Sequence, residues 1–573
     1  MLKKVTKQFS LVSLIIIGTI TWSLTMVRSG LLYKFGYGFW GPNGHDGIWH
    51  IALSNSLSKG TLENPIFSGS LLQNYHLGFD LLLALLNKLT TIPISILYFQ
   101  ILPPIFALMI GLLVYLFVLN WRGSKNEALW STAFVYFSSS FGFIITFLRD
   151  RVITGESMFW SQQSISTLVN PPFALSLIFI LSALISLQKK NLFFSIIFFG
   201  ILIQIKAYAA ILVLAGLFIS GLYSYIFHHK SYILKVFLAS LFLNLILFVT
   251  TRSDGLSTFV WQPMWFLETL MSYSDRFGWE RLYSAMTTYK MGHIWFKEIL
   301  AYSLAFAIFI LGNMGVRIIG FYYFLKVLKN KIKIDEILVF ITTILLMAII
   351  IPMFLVQKGT PWNTIQFFYY YLFFSSIFAG ISMDLLTNNK KRIVRVGLMT
   401  LFSMFTIFGA WSTLQHYLPK MPQSMVSNEE YAALDFLTKQ TDGIVFTYPF
   451  DESKAILATK NPPRPLYFYE STSYVSAFTH KPVFLEDQVN LNIMGYSWEN
   501  RREQTLWFIL NLDKEAGREF LGRNNIKYLY LVKEASPLFG ELLRLGSAEL
   551  DLKKIFENKK SIIYQYGKDF GSN

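Results

Sequence analysis

The chain has 573 residues, 53% of them hydrophobic and 17% aromatic, with a formal net charge of +16 and no cysteine. The absence of cysteine excludes disulfides, thiolate metal sites and cysteine nucleophiles. The charge does not point to nucleic acid, because Lys and Arg sit in short clusters between apolar runs and form no single basic face.

The first apolar run, Phe9–Val27, follows Lys3, Lys4 and Lys7. It is too long for a signal-peptide core and has no small-x-small cleavage site, so it reads as an uncleaved anchor. Further runs follow at Ile96–Leu119, Ala128–Leu148, Phe173–Leu187, Leu192–Ile205, Ala207–Phe227, Ile233–Thr250, Ile299–Leu325, Ile337–Val356, Phe367–Met383 and Val396–Trp411. Runs of roughly 15 to 27 residues cross a hydrocarbon core when helical, and in lipid only a helix satisfies their backbone groups internally. The expected fold class is a polytopic α-helical membrane protein with about eleven transmembrane helices. Leu77–Leu89 is short for a span. Setting it at the outer interface places Arg122 and Lys125, Lys189 and Lys190, Lys326–Lys333 and Lys390–Arg395 all on the cytoplasmic side. The expected orientation in the cytoplasmic (plasma) membrane is therefore N-terminus inside and C-terminus outside. Arg317 lies in an apolar run near its cytoplasmic end, where snorkelling to the headgroups is expected.

This threading divides the chain into a transmembrane domain, residues 1–412, with a large first outer loop at 28–94, and an extracytoplasmic α/β domain, residues 413–573. In the second domain charged residues rise and prolines cluster at Pro462, Pro463 and Pro465. Asn428–Gln440 has helical periodicity behind Ser427 or Asn428 as cap. Gly443–Tyr448, Tyr474–Leu485 and Ile526–Val532 are rich in β-branched and aromatic residues, as strands are.

The first outer loop reads Gly44-His45-Asp46-Gly47-Ile48-Trp49-His50, and apolar residues at Ile48, Ile51, Ala52 and Leu57 predict a short helix on the membrane surface. Asp46 stands where a carboxylate gains from a helix N-terminus; it is either a cap or a base. Asn74-Tyr75-His76-Leu77-Gly78-Phe79-Asp80 then leads into the interfacial run. This arrangement resembles the GT-C superfamily of membrane glycosyltransferases, which use polyprenyl-phosphate-linked sugars. Asp46, Ala52 and Gly60 fit its acidic-residue loop, His76 its following segment, and Gln204-Ile205-Lys206-Ala207-Tyr208 its lysine hairpin. The chain departs from the pattern at Gly47, where many members carry a second acidic residue nearby, and at Leu77-Gly78, where His-Pro-Pro is usual.

The resemblance implies an inverting glycosyltransferase, moving a hexosyl or pentosyl group from a polyprenyl-phosphate donor to a glycan, lipid or protein acceptor on the outer face. The acceptor hydroxyl must lose a proton, for which Asp46 is the candidate base. The departing phosphate needs fixed cations, and Arg suits it through its planar fork. The candidates are Arg149, Arg151, Lys206 and Lys358, with Arg252 beside them and His76 as a further substrate contact. No cofactor is expected; a divalent metal is the alternative, on His45, His50 and His76 with Asp46 and Glu63, whose spacing matches no compact site. The rival readings are a lipid-linked glycan transporter, against which the chain shows no repeated halves, and an inactive assembly protein of the same fold.

Overall fold

A computed structural model of the chain describes residues 2–249, 259–388, 391–459, 462–510, 513–535 and 550–567; Arg252 and Lys390 lie outside them. The chain is a multi-pass α-helical membrane protein carrying a C-terminal α/β domain. Every apolar run expected to cross the bilayer is built on helix. Among the described residues nine helices are long and apolar enough to span, from Ile94–Arg122 to Arg392–Tyr417, and Ser10–Ser23 and Leu192–Ile205 are shorter apolar helices. The residues group into two compact units.

The first unit draws on Met1–Thr25, Pro103–Thr250 and Gly255–Tyr417 and holds the spans. Its central helix lies within Pro361–Thr387, with 89% of its apolar window buried, against 11% for Arg392–Tyr417. Small residues let the centre pack: a Cβ on Gly380 would strike the backbone of Ser131, whose hydroxyl donates to Ile377 O at 3.0 Å. Helices in lipid associate through such close backbone approach. Arg317 is 1% exposed and does not snorkel. Its guanidinium donates to Ser376 Oγ (2.9 Å), Gln163 Oε1 (2.8 Å), Ser164 Oγ (2.9 Å), Ser138 O (3.1 Å) and Asn313 O (3.3 Å). These acceptors come from the loop 151–170 and the neighbouring helices, and they replace the headgroup water that snorkelling would have supplied.

The second unit draws on Met26–Leu102 and Leu418–Asn573, so the first loop belongs to the C-terminal domain. The strands in chain order are β1 (Leu31–Tyr33), β2 (Gly36–Phe39), β3 (Phe259–Trp261), β4 (Leu355–Gln357), β5 (Ser424–Ser427), β6 (Ile444–Thr447), β7 (Arg464–Pro465), β8 (Ile526–Val532), β9 (Leu552–Glu557) and β10 (Ser561–Tyr566). Of these, β3 and β4 pair with each other in the first unit. In the second unit one sheet runs β1-β2-β5-β7 and the other β6-β8-β10-β9, with β6 parallel to β8. Trp49, Leu53 and Leu57 from the loop share a hydrophobic core with Phe446, Phe484, Leu529 and Ile562 of the domain. Helix Asn428–Thr438 starts on a capping box between Ser427 and Glu430.

One expected strand is corrected. Tyr474–Thr479 is helical, and only Val483 makes a bridge, to Val445. The Glu486 carboxylate accepts from the backbone N–H groups of Val475 and Ser476 at 2.8 and 3.2 Å, which holds the first turn of helix against the segment's β-propensity.

Candidate functional site

Helix Asp46–Ser58 takes His45 as its N-cap residue and Asp46 as its first turn. The expectation of a helix on the membrane surface is corrected here: residues on every face are buried, among them Trp49, His50, Ala52, Leu53 and Asn55, because the helix runs through the domain core. Asp46 is the exception, with its side chain 60% exposed. A Cβ at Gly47 would come within 2.8 Å of the Phe99 ring, which explains why no second carboxylate follows Asp46.

His45 Nδ1 lies 2.9 Å from Asp46 Oδ1, and the imidazole packs over Tyr469 with ring centroids 6.3 Å apart. Burial disfavours the imidazolium, but the charges of Asp46 and Asp487 outweigh it and hold His45 above its usual range. Asp487 is itself pushed up to about 6 by burial, against the relief given by Asn490 and His45. A carboxylate and a protonatable imidazole thus share one hydrogen bond at the end of a buried helix.

Four residues along the same helix, His50 Nδ1 meets Asp80 Oδ1 at 2.8 Å, and Ser54 Oγ donates to the same oxygen at 3.3 Å. Asp80 comes from helix Gly78–Thr90, the predicted interfacial segment. That helix buries Phe79, Asp80, Leu83 and Ala84 while exposing Leu81, Leu85 and Leu89 in a stripe at four-residue spacing. His76 is half-buried, its ring 4.7 Å from that of Tyr75, and Asn74 ties the segment to the domain through Met494 O at 2.9 Å.

The candidate cations among the described residues, Arg149, Arg151, Lys206 and Lys358, all lie in the first unit. Lys206 is 6% exposed at the break between helices Leu202–Ile205 and Ala207–His228; its Nζ reaches Asn170 Oδ1 at 3.5 Å and sits 5.4 Å from the Tyr208 ring centre. Tyr208 Oη donates to Gln357 Oε1 at 2.8 Å, which ties the residue two positions after Lys206 to the one just before exposed Lys358. Asn170 also donates to Gln366 Oε1 at 3.1 Å. Arg149 is engaged elsewhere, with Asp150 at 2.9 Å and the carbonyls of Ser274 and Arg276. Arg151 is exposed in a left-handed conformation closing its helix. Of the predicted cations, Lys206 and Lys358 are linked through the Tyr208–Gln357 contact, and Arg149 and Arg151 stand two residues apart at the end of another helix.

Sequence reading missed Asn170 and Glu156. Glu156 is buried in the loop 151–170, accepts from Gln163 N at 3.0 Å and from Ser166 Oγ, and is raised by that burial. A Glu directly after Thr154-Gly155 leaves no motif. Among the described residues no group of three or more His, Asp or Glu side chains is placed to hold a metal ion.

No family model matches the sequence, and no curated protein matches it. The fold is similar to that of a solved membrane oligosaccharyltransferase. The apo crystal structure of the Archaeoglobus fulgidus oligosaccharyltransferase is similar at a TM-score of 0.50 and 11% identity, over 98% of this chain and 75% of that one. The same enzyme in complex with zinc and sulfate gives a TM-score of 0.50 at 13% identity, over 91% and 68%. ArnT from Cupriavidus metallidurans bound to undecaprenyl phosphate gives 0.45 at 9% identity, over 98% and 99%.

Proposed function

We propose that the protein is a glycosyltransferase that moves a sugar from a polyprenyl-phosphate donor to an acceptor hydroxyl on the outer face of the cytoplasmic membrane. The observation that carries this reading is Asp46: one exposed carboxylate, paired with His45, on a helix otherwise sealed in a protein core. A helix N-terminus favours the ionised carboxylate, and a carboxylate in that state is fit to take a proton from an attacking hydroxyl. The fold supports the reading, since its structural neighbours include an oligosaccharyltransferase.

In this reading His45 holds the Asp46 carboxylate in orientation through the 2.9 Å contact. Holding the donor phosphate falls to Lys206, with Lys358 and the Arg149–Arg151 pair as further cations. A buried ammonium is strong there because the low local dielectric multiplies its attraction for an anion. The donor phosphate leaves as the acceptor oxygen attacks the anomeric carbon, so the configuration inverts.

The test incubates purified protein with a panel of polyprenyl-phosphate sugars and follows donor consumption and transfer. Consumption of at least one donor by wild type is expected. Asp46→Asn should lower turnover by about two to four orders of magnitude, the weight of a general base. Transfer by Asp46→Asn at the wild-type rate would overturn the assignment.

A further inference from the structure

The C-terminal ends of parallel strands are where open α/β sheets bind ligands, and the second unit has such an edge. Strands β6 and β8 run parallel, and Val483 adds a parallel bridge beside β6. Just past all three ends lies a narrow cavity of about 30 Å³, whose walls include Tyr448, Asp487 and Val532. It has room for on the order of one or two water-sized groups.

Two further features mark it as more than a packing gap. Thr472 lines it, is 6% exposed, and its buried hydroxyl makes no hydrogen bond among the described residues. A buried hydroxyl in that state is an exception that calls for a partner. The described lining also carries Glu470, Glu486 and Asp487, four tyrosines and no basic residue. With no cation to receive an anion, that lining does not suit phosphates or carboxylates, while tyrosines and carboxyl groups suit hydroxyl-rich rings. Tyr469 belongs to both this lining and the contact with His45.

We propose that this cavity is an acceptor subsite that takes the hydroxyl-bearing edge of a neutral or amino sugar, with Thr472 and Asp487 as hydrogen-bonding groups. Its role as acceptor site rests on the transferase reading; its capacity to bind a sugar does not. Asp487 keeps one carboxylate oxygen on Asn490 N at 3.0 Å and the other on Asn490 Nδ2 at 2.7 Å, so it is held in place before any ligand arrives. Its backbone lies in the left-handed region at φ 51°, a conformation that turns the chain sharply into helix Gln488–Met494.

The experiment is saturation-transfer NMR on the full-length protein in detergent, without donor, using the methyl glycosides of glucose, galactose, N-acetylglucosamine and glucosamine as probes. At least one glycoside should receive saturation from the protein. Thr472→Val and Asp487→Asn should each weaken its binding by about five-fold or more, the weight of a lost hydrogen bond. Asn remains a competent helix cap, and Val removes only a hydroxyl without a partner, so melting temperatures should hold. No transfer to any glycoside, binding indifferent to both substitutions, or a melting temperature that collapses in Thr472→Val would each overturn the subsite. Glycoside binding without donor consumption would instead sink the transferase reading and leave the subsite standing.

Discussion

His50 Nδ1 and Asp80 Oδ1 lie 2.8 Å apart with both side chains buried, and this contact joins the helix that opens on Asp46 to the helix that follows His76. Removing Asp80 strands a buried imidazole. Asp80→Ala should destabilise the protein by about 1–3 kcal/mol, the cost of an orphaned buried polar group. Asp80→Asn keeps an acceptor and should cost less. Thermal unfolding of both variants in one detergent is the measurement; an unchanged melting temperature for Asp80→Ala would show that the pair holds nothing.

Lys206 separates phosphate binding from headgroup anchoring. As a buried cation on Asn170, it should matter far more to donor use than exposed Lys358 or Arg151. Lys206→Gln should raise the donor concentration for half-saturation by about ten-fold or more, the effect of a lost charge-assisted bond of about 1.5–3 kcal/mol. Arg151→Lys discriminates a second way, since a bidentate grip on phosphate is not preserved by Lys whereas a headgroup anchor is. Superimposable donor-saturation curves for Lys206→Gln and wild type would remove Lys206 from the donor site.

Stability should fall as pH rises from 5 to 8.5. Burial pushes Glu430 up to about 7, Glu486 to about 8 and Asp487 to about 6, each from an ordinary value near 4. His45 is also held above its usual range, where burial is outweighed by Asp46. Between about pH 4 and these raised values the folded chain holds protons that the unfolded chain has released. The slope of stability with pH is then negative, and the benefit disappears as pH passes the folded values. Melting temperatures at fixed salt should decline across that window, and a rise would contradict the assignment. Glu486→Gln, which keeps the backbone contacts to Val475 and Ser476 within reach, should flatten the decline.

Orientation can be read with single cysteines, because the chain has none of its own. Lys125→Cys and Lys331→Cys should be shielded from an impermeant thiol reagent in intact cells, and Ser453→Cys should react. All three positions are exposed, so access rather than burial decides the outcome. Reaction at position 125 with protection at 453 would invert the proposed topology.

The spans were legible because hydropathy is a local property: each run declares itself within about twenty residues. Strand β8 and the helix behind Ser427 were legible for the same reason, through β-branched composition and a capping box. The β1–β2 hairpin was not. Its strands are short, β2 carries two glycines, and β2 is fixed by pairing Gly36 with Ser427 and Tyr37 with Val426 across the chain. Arg317 was misread because sequence shows its depth along a helix but not the hydroxyls and carbonyls that five N–H groups can reach. The place of Asp46 at a helix start was legible in the sequence, while His45 as its partner and Asp487 behind it needed three dimensions.

The antiparallel seam between β2 and β5, with Asn55 Nδ2 donating to Ala477 O across 422 positions of chain, has a consequence for biogenesis. The loop bearing Asp46 leaves the ribosome long before the residues that complete its core, and every intervening span is inserted first. Pairing at such separation is slow to form and exposed to aggregation while it waits. A nascent chain stopped short of β5 therefore carries Asp46 without the walls that define it. Only full-length synthesis completes the surroundings of Asp46.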